Sequence, residues 1–126
     1  MTTWTVDELN KIGTAEELQL ASLRNDGTLR RPVIMWVVRV GDDLFVRAVK
    51  GRSGPWFRGT QTRHAGRIQS GGVTKDVTFG EEVALPVHEL IDAAYIQKYS
   101  HYPKPYVDAC LTPEARAATI RLVPHS

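Results

Sequence analysis

Basic residues, glycines and aromatic residues are concentrated in residues 44–75 of this chain. The stretch contains no aspartate or glutamate, yet it holds seven of the 16 lysines and arginines in the sequence. These seven are Arg47, Lys50, Arg52, Arg58, Arg63, Arg67 and Lys75. Arginine donates paired hydrogen bonds to phosphate, and glycine lets the backbone approach a ligand closely. Because Trp56 and Phe57 lie among these residues, the composition predicts a surface that holds an anion beside an aromatic ring.

The first half of the stretch is the candidate phosphate site. Its possible donors lie at the end of a predicted strand, in the loop of residues 51–54 and in the segment that follows: Arg47, Lys50, Arg52, Ser53 and Arg58. Each charge-assisted hydrogen bond contributes about 1.5–3 kcal/mol, so two or three would give micromolar affinity. Trp56 is placed to cover a ring system. The alternative is that these arginines only decorate the outer face of a barrel and that residues 54–56 only shape a loop.

Other catalytic chemistry is not indicated by the sequence. The four histidines lie on different predicted elements without ligand spacing, so no metal site is expected. Cys110 has apolar neighbours and is interpreted as a buried filler, not as a nucleophile. Asp42 and Asp43 are adjacent, but a hairpin tip explains them better than an acid/base pair does. No residue stands out as a catalytic acid or base.

The overall composition is typical of a soluble globular protein. A length of 126 residues predicts one domain over residues 1–126, and 42% hydrophobic with 24% charged residues is ordinary. The net charge of +2 does not by itself argue for nucleic acid. The N-terminus lacks the features of a signal peptide, and the longest apolar run, residues 33–38, is too short to span a bilayer. We therefore expect a cytoplasmic protein without a membrane partner.

Helix and strand patterns predict a mainly β (α+β) fold. Thr5 and Glu8 form a capping-box pattern for a short N-terminal helix that ends at Gly13. A longer helix begins at Pro86, near the C-terminus. Alternating or apolar runs predict strands at residues 18–24, 32–40, 44–50, 67–70, 73–79 and 119–123, with 56–63 as a further candidate. The run 32–40 is almost wholly apolar and is expected to be central and buried on both faces. Short antiparallel strands with helical caps indicate a small barrel.

The sequence resembles a family of small bacterial proteins of unknown function. The resemblance covers nearly the whole chain and rests on Trp4 with residues 7–9, and on residues 20–59, 77–79, 94–95, 98–99 and 117–124. The family has no established activity, so this resemblance implies a fold but not a reaction.

Residues 20–67 are also similar, more distantly, to the split-barrel flavin and deazaflavin reductases. These include the deazaflavin-dependent nitroreductases and the pyridoxamine-phosphate oxidases. The shared layout is a strand, a glycine turn, an arginine before an apolar strand (Arg30 or Arg31), an acidic turn, a second strand and a tryptophan (Trp56). The resemblance implies a six-stranded antiparallel split barrel that forms a homodimer and holds its cofactor in a cleft at the barrel edge.

This resemblance implies FMN or a deazaflavin as cofactor and a small oxidoreductase as the function. The implied cofactor-binding residues are Arg31, Trp36, Arg47, Lys50, Arg52, Ser53, Trp56 and Arg58. The two tryptophans would border the ring and the others would hold or surround its phosphate. Deazaflavin reductases usually carry Asn-Leu after the tryptophan and Lys-Ser before the arginine, and neither is present here. A ligand-binding or interaction module without a redox cofactor is therefore the alternative, and nucleic-acid binding is a weaker third hypothesis.

Overall fold

The computed structural model describes residues 3–125 and is built on one antiparallel sheet of seven strands, in the order β2-β1-β5-β6-β7-β4-β3. The strands are β1 (Leu18–Ser22), β2 (Val33–Met35), β3 (Val38–Val40), β4 (Asp43–Arg47), β5 (Ala65–Ser70), β6 (Val73–Gly80) and β7 (Thr119–Pro124). The helices are α1 (Val6–Thr14), α2 (Pro55–Thr60), α3 (Leu85–Lys98), α4 (Lys104–Asp108) and α5 (Pro113–Ala117), and a 3-10 turn covers Gly51–Ser53. Among the described residues, no helix is long and apolar enough to cross a membrane.

A bend between β2 and β3 closes the sheet into a half-barrel. Only Trp36 and Val37 separate the two strands in sequence, yet β2 pairs with β1 at one end of the sheet and β3 pairs with β4 at the other. The mainly antiparallel β prediction is confirmed, but the predicted count of six strands is wrong. The seventh strand arises because the apolar run 32–40 is interrupted at its centre.

The sequence predicts that run 32–40 is central and buried on both faces, and this prediction is wrong for β2. Val33 and Ile34 are 37% and 58% exposed, because β2 lies at an edge and pairs with β1 alone. Residues 56–63, a candidate strand, instead form most of α2 (Pro55–Thr60) and the turn after it. Pro55 occupies its first turn, where a fixed φ and a missing N–H favour a helix, and Phe57 and Thr60 bury one face.

The N-terminal helix and its cap agree closely with the sequence pattern. Thr5 Oγ1 accepts from the Glu8 backbone N–H at 3.1 Å, and the Thr5 N–H donates to the Glu8 carboxylate at 2.9 Å. The helix ends at Thr14, one residue beyond Gly13. The long C-terminal helix and the closing strand are also confirmed, as α3 and β7.

Two hydrophobic clusters lie on opposite sides of the sheet. The barrel interior comprises residues such as Leu9, Ile12, Leu18, Leu20, Leu44, Val46, Phe57, Ile68, Ile120 and Leu122. The α3 layer, between the sheet and α3, comprises Val38, Phe45, Ile91, Tyr95, Tyr99, Val107 and Cys110. Strand β4 supplies both, because successive side chains point to opposite faces: Leu44 and Val46 enter the barrel, and Phe45 enters the α3 layer.

Candidate functional site

A cleft of about 530 Å³ opens beside the bend between β2 and β3. Its lining comes from β2, the end of β4, the start of α2, and helices α3 and α4: Val33, Ile34, Met35, Trp36, Arg47, Val49, Lys50, Gly54, Pro55, Trp56, Tyr95, Tyr106, Ala109 and Cys110. The volume lies within the range of small-molecule sites, and an apolar lining with few polar groups is typical of them. Arg47 and Lys50 are the charged members of this lining.

Two half-buried tryptophans border the cleft from different elements. Trp36 lies at the bend, and its indole stacks on Tyr99 with ring centroids 4.0 Å apart and planes inclined by 4°. Trp56 lies in the first turn of α2 and meets Phe57 edge to face at 6.2 Å. Because each indole packs against another ring, both tryptophans are held in place where they line the cleft.

Arg47 is buried, and its hydrogen-bonding capacity is used within the protein. Nε donates to Thr119 Oγ1 at 3.0 Å, and Nη1 donates to Asp92 and to the Cys110 carbonyl at 2.9 Å. Nη2 lies 3.2 Å from His88 Nδ1 and 3.3 Å from the His88 carbonyl oxygen. These five acceptors match the five N–H donors of a guanidinium. Arg47 therefore has no N–H left for a ligand phosphate in this arrangement.

Asp92 joins Arg47 to a second arginine, Arg116, in what we term the Arg47 cluster (Arg47, His88, Asp92 and Arg116). Arg116 donates to Asp92 Oδ2 through both Nε, at 3.2 Å, and Nη2. Burial raises the pKa of the Asp92 carboxyl, but the hydrogen bonds from Arg116 and Arg47 outweigh it, and the net effect lowers that pKa. Burial, with the two arginines, lowers the pKa of His88, so its neutral Nδ1 accepts from Arg47. Two guanidiniums and one carboxylate leave the cluster with a formal charge of +1.

The structure brings four of the eight predicted site residues to the cleft: Trp36, Arg47, Lys50 and Trp56. Lys50 is exposed, and within the part of the chain that the structure describes its ammonium makes no hydrogen bond or ion pair with the protein. Gly51 follows it at φ +75°, a left-handed conformation that favours glycine and turns the chain into the 3-10 turn.

The other four predicted residues lie outside the cleft lining: Arg31, Arg52, Ser53 and Arg58. Arg52 donates to Glu81 at 3.0 Å and to the Ala117 carbonyl at 3.1 Å, and its guanidinium lies over the Phe57 ring. Arg31, Ser53 and Arg58 are exposed. After Lys50 the chain forms a 3-10 turn and then helix α2, where the sequence predicts a loop and a strand. Arg52, Ser53 and Arg58 therefore do not converge with Arg47.

Several lining residues were missed from the sequence. The sequence pattern places Val33 and Ile34 in a buried strand, and Val49 and Tyr106 carry no motif that marks them as ligand contacts. Asp92 was also missed. It lies one helical turn after His88 on α3, and that i,i+4 spacing is the signal that could have placed the two on one face.

The remaining titratable groups of the lining supply no obvious acid or base. Burial raises the pKa of the Cys110 thiol to about 11 and raises the pKa of Tyr95 as well. The sequence-based interpretation of Cys110 as a buried residue is confirmed. Across residues 3–125, no group of three histidine, cysteine or acidic side chains could hold a metal ion.

Comparison with solved structures shows which fold the chain shares. An F420-H2-dependent reductase is 17% identical, with 86% of this chain and 93% of that one covered at a TM-score of 0.61. An FAD-binding protein from Mesorhizobium loti is 17% identical, covering 98% and 92% at a TM-score of 0.60. A haem storage protein from Vibrio cholerae is 14% identical, covering 93% and 87% at 0.60. At these identities the shared feature is the fold, which is that of the split barrels.

The sequence itself gives the family. Residues 8–122 match a family described as uncharacterized proteins conserved in bacteria (DUF2255), and the chain belongs to that family. No curated protein matches the sequence. The family membership and the likeness to deazaflavin-dependent reductases confirm the resemblances noted in the sequence.

Proposed function

We propose that the cleft binds the ring of a flavin or deazaflavin, and that the protein is a small oxidoreductase built on that cofactor. The observation that carries the proposal is the apolar cleft bordered by Trp36 and Trp56, on a fold shared with an F420-H2-dependent reductase and an FAD-binding protein. When bound, the cofactor would supply hydride transfer, which the protein's own side chains cannot perform.

The residues of the cleft fit a flat ring better than they fit a phosphate. Trp36, Trp56 and the β2 side chains would orient the ring and exclude water from its faces. Lys50 is the lining cation without a protein partner in the described structure, so we assign the phosphate to Lys50 first. Arg31, Arg52, Ser53 and Arg58 would contribute only by reaching in from outside the lining. Arg47 would act through its charge, not through a hydrogen bond.

A titration with FMN and riboflavin tests this proposal directly, because the two ligands differ only in the phosphate. We expect saturable micromolar binding of FMN, detected by quenching of the Trp36 and Trp56 fluorescence. Lys50→Gln should weaken FMN binding by about tenfold and leave riboflavin binding nearly unchanged, which corresponds to the loss of one charge-assisted contact. Absence of saturable binding of FMN, FAD and F420 would overturn the proposal.

A second candidate is a ligand-binding module that uses no redox cofactor. It is favoured by the hydrogen bonds of Arg47, which are fully satisfied, and by the position of four predicted phosphate ligands outside the cleft. A thermal-shift series separates the two candidates, since a ligand that binds the native state raises the melting temperature. Stabilisation by aromatic compounds without stabilisation by flavins or F420 would select the second candidate.

We also propose that the protein is a homodimer that covers the rim of the cleft. Four apolar side chains of the lining are exposed: Val33 (37%), Ile34 (58%), Val49 (50%) and Tyr106 (63%). A contiguous exposed apolar patch commonly marks an interface or a ligand site. Light scattering during gel filtration should give the mass of two chains. Ile34→Lys should give one chain, and a wild-type mass of one chain would contradict the proposal.

A further inference from the structure

We infer that the cleft selects planar aromatic ligands whose ring system carries a negative charge, and that the buried charge of the Arg47 cluster is the cause. This inference rests on the proposed function only in that it takes the cleft as the ligand site. It adds the charge of the ligand ring, and it assigns the selectivity to Asp92 and Arg116, neither of which lines the cleft.

The first observation is the sign of the charges around the cleft. Its lining contains Arg47 and Lys50 but no aspartate or glutamate. The Arg47 side chain is fully buried, so the low local dielectric weakens its field much less than water would. Lys50 is exposed, and solvent screens most of its charge. The persistent positive field in the cleft therefore originates mainly from the buried Arg47 side chain.

The second observation is that the Arg47 cluster is not neutralised from within. Asp92 is shared by Arg47 and Arg116, and one carboxylate offsets only one of the two guanidiniums. Glu89, which acts on Arg116 from α3, the helix of Asp92, is exposed and therefore screened. The neighbours of Arg47 across the cluster, Tyr95 and Cys110, hold their protons because burial raises both pKa values. One positive charge remains.

The third observation is how this charge can act. Since the N–H groups of Arg47 are committed to Thr119, Asp92, Cys110 and His88, it offers no directed hydrogen bond to a ligand. Its influence on the cleft is a field, which depends on distance and not on donor geometry. Such a field stabilises a negative charge that the ring system itself carries, whether the charge is delocalised or sits on a group bonded to the ring. A phosphate at the end of a flexible chain is better served by the mobile ammonium of Lys50.

Two naphthylamine dyes test the inference without any cofactor. The probes are 1-anilinonaphthalene-8-sulfonate, an anion, and N-phenyl-1-naphthylamine, its neutral counterpart without the sulfonate. Both contain the same aromatic system, and both report binding by fluorescence. We expect the wild-type protein to bind the anionic dye more tightly. Equal affinity, or tighter binding of the neutral dye, would overturn the inference.

The key variant is Arg116→Gln, which removes the uncompensated charge from a partly exposed position outside the cleft. We expect the ratio of the two dye affinities to fall by about fivefold. Arg67→Gln is the matched control. It removes the same formal charge from an exposed pair with Asp76, on strands away from the cleft, and should leave the ratio unchanged. Equal falls in both variants would overturn the inference, because they would show an effect of net charge alone.

A second variant, Asp92→Asn, should raise the ratio of the anionic-dye affinity to the neutral-dye affinity. It provides a test even if the protein does not tolerate substitution of Arg116. Asp92→Asn keeps the side-chain shape and raises the cluster charge to +2, so the preference for the anionic dye should increase. A decrease would contradict the assignment. If wild-type protein binds neither dye, the inference fails, and the FMN titration described above decides the proposed function separately. If it binds both dyes without preference, only the inference fails.

Discussion

The barrel interior and the α3 layer share strand β4 but differ in chemistry. The barrel interior is hydrocarbon packing, in which Leu20, Ile68 and Ile120 are essentially inaccessible to solvent. The α3 layer is also buried, yet it encloses the Arg47 side chain and the hydroxyl of Tyr99. The cleft draws Arg47, Tyr95 and Cys110 from this polar side. The comparison indicates that the interior supplies stability and that the α3 layer sets the geometry and charge of the site.

Tyr99 shows how the α3 layer sets geometry. Its hydroxyl accepts from the Val37 backbone N–H at 3.1 Å and donates to the Glu16 carbonyl at 2.8 Å, while its ring stacks on Trp36. Lys98 Nζ donates to the Val37 carbonyl at 2.6 Å. Lys98, the last residue of α3, and Tyr99, which follows it, thus satisfy the backbone N–H and carbonyl of Val37 at the bend between β2 and β3. The same contacts fix Trp36 at the cleft.

The largest effect should follow from Asp92→Ala, which leaves two arginines without their carboxylate. Because Arg47 is buried, we expect a loss of about 3–5 kcal/mol in the free energy of unfolding at pH 7. The control Asp76→Ala breaks an exposed pair with Arg67 and should cost no more than about 1 kcal/mol. Urea denaturation measures both, and equal losses would refute the distinction between the two sites.

The pH dependence of the Asp92→Ala effect follows from the sign of the pKa shift. The pKa of Asp92 is lower in the folded protein than its ordinary value of 3.8. Its stabilisation is therefore complete above about pH 4–5 and is lost as the pH falls through the folded-state value. The difference between wild type and variant should shrink in acid, and a difference that grows there would contradict this account.

Leu20→Ala should expose the contrasting behaviour of the barrel interior. The side chain is 1% exposed, and truncation of a buried leucine costs about 2–5 kcal/mol through lost transfer free energy and a residual cavity. Since Leu20 does not line the cleft, FMN affinity measured below the melting temperature should stay within about twofold of wild type. A large fall in affinity would mean that the two regions are not separable.

Tyr99→Phe should lower the free energy of unfolding by less than Leu20→Ala does, but it should also weaken FMN binding in the cleft. Loss of the hydroxyl leaves the Val37 N–H and the Glu16 carbonyl without this partner, at about 1–3 kcal/mol. FMN affinity should fall as well, because the bend that carries Trp36 is no longer fixed. Tyr102→Phe removes an exposed hydroxyl bonded to the Glu16 side chain at 2.7 Å and serves as the control. Equal effects of the two substitutions on affinity would argue against the role of Tyr99.

The effect of Lys98 is absent at neutral pH and appears only in alkali. Burial lowers the pKa of Lys98 from 10.5 to about 8, opposed by Glu16. Between pH 8 and 10 the unfolded chain therefore binds more protons at this residue, and stability rises with pH. Relative to Lys98→Met, the wild type should gain at most about 1.4 kcal/mol per pH unit in this window. Denaturation curves at pH 8, 9 and 10 provide the measurement, and a relative loss would contradict the sign.

Local signals in the sequence were sufficient for much of the fold. The capping box of Thr5 and Glu8, the helix that starts near Pro86 and the closing strand near Thr119 depend on a few adjacent residues, and all three are found. The bend at Trp36 could not be predicted in this way. An apolar run looks the same whether it lies in a central strand or is split between two sheet edges, and the pairing partners decide which.

The candidate site was predictable only where residue type alone indicates a role. Trp36, Lys50 and Trp56 have the types expected of a ring and phosphate site, and they do line the cleft. The burial of Arg47 was not predictable, because it depends on Asp92, 45 residues away in sequence. A basic residue in an acid-free stretch looks unpaired until the tertiary structure brings in its partner.

The central claim is that the cleft beside the bend is the flavin or deazaflavin site, and blocking it tests that claim most directly. Val49→Trp places a large ring in the cleft from a residue that is 50% exposed, so the fold should tolerate it. Leu90→Trp makes a comparable change at a 56% exposed position on α3, outside the lining. In FMN and F420 titrations we predict saturable binding by wild type and by Leu90→Trp, and binding at least tenfold weaker by Val49→Trp. Equal binding by all three proteins, or binding by none, would contradict the claim.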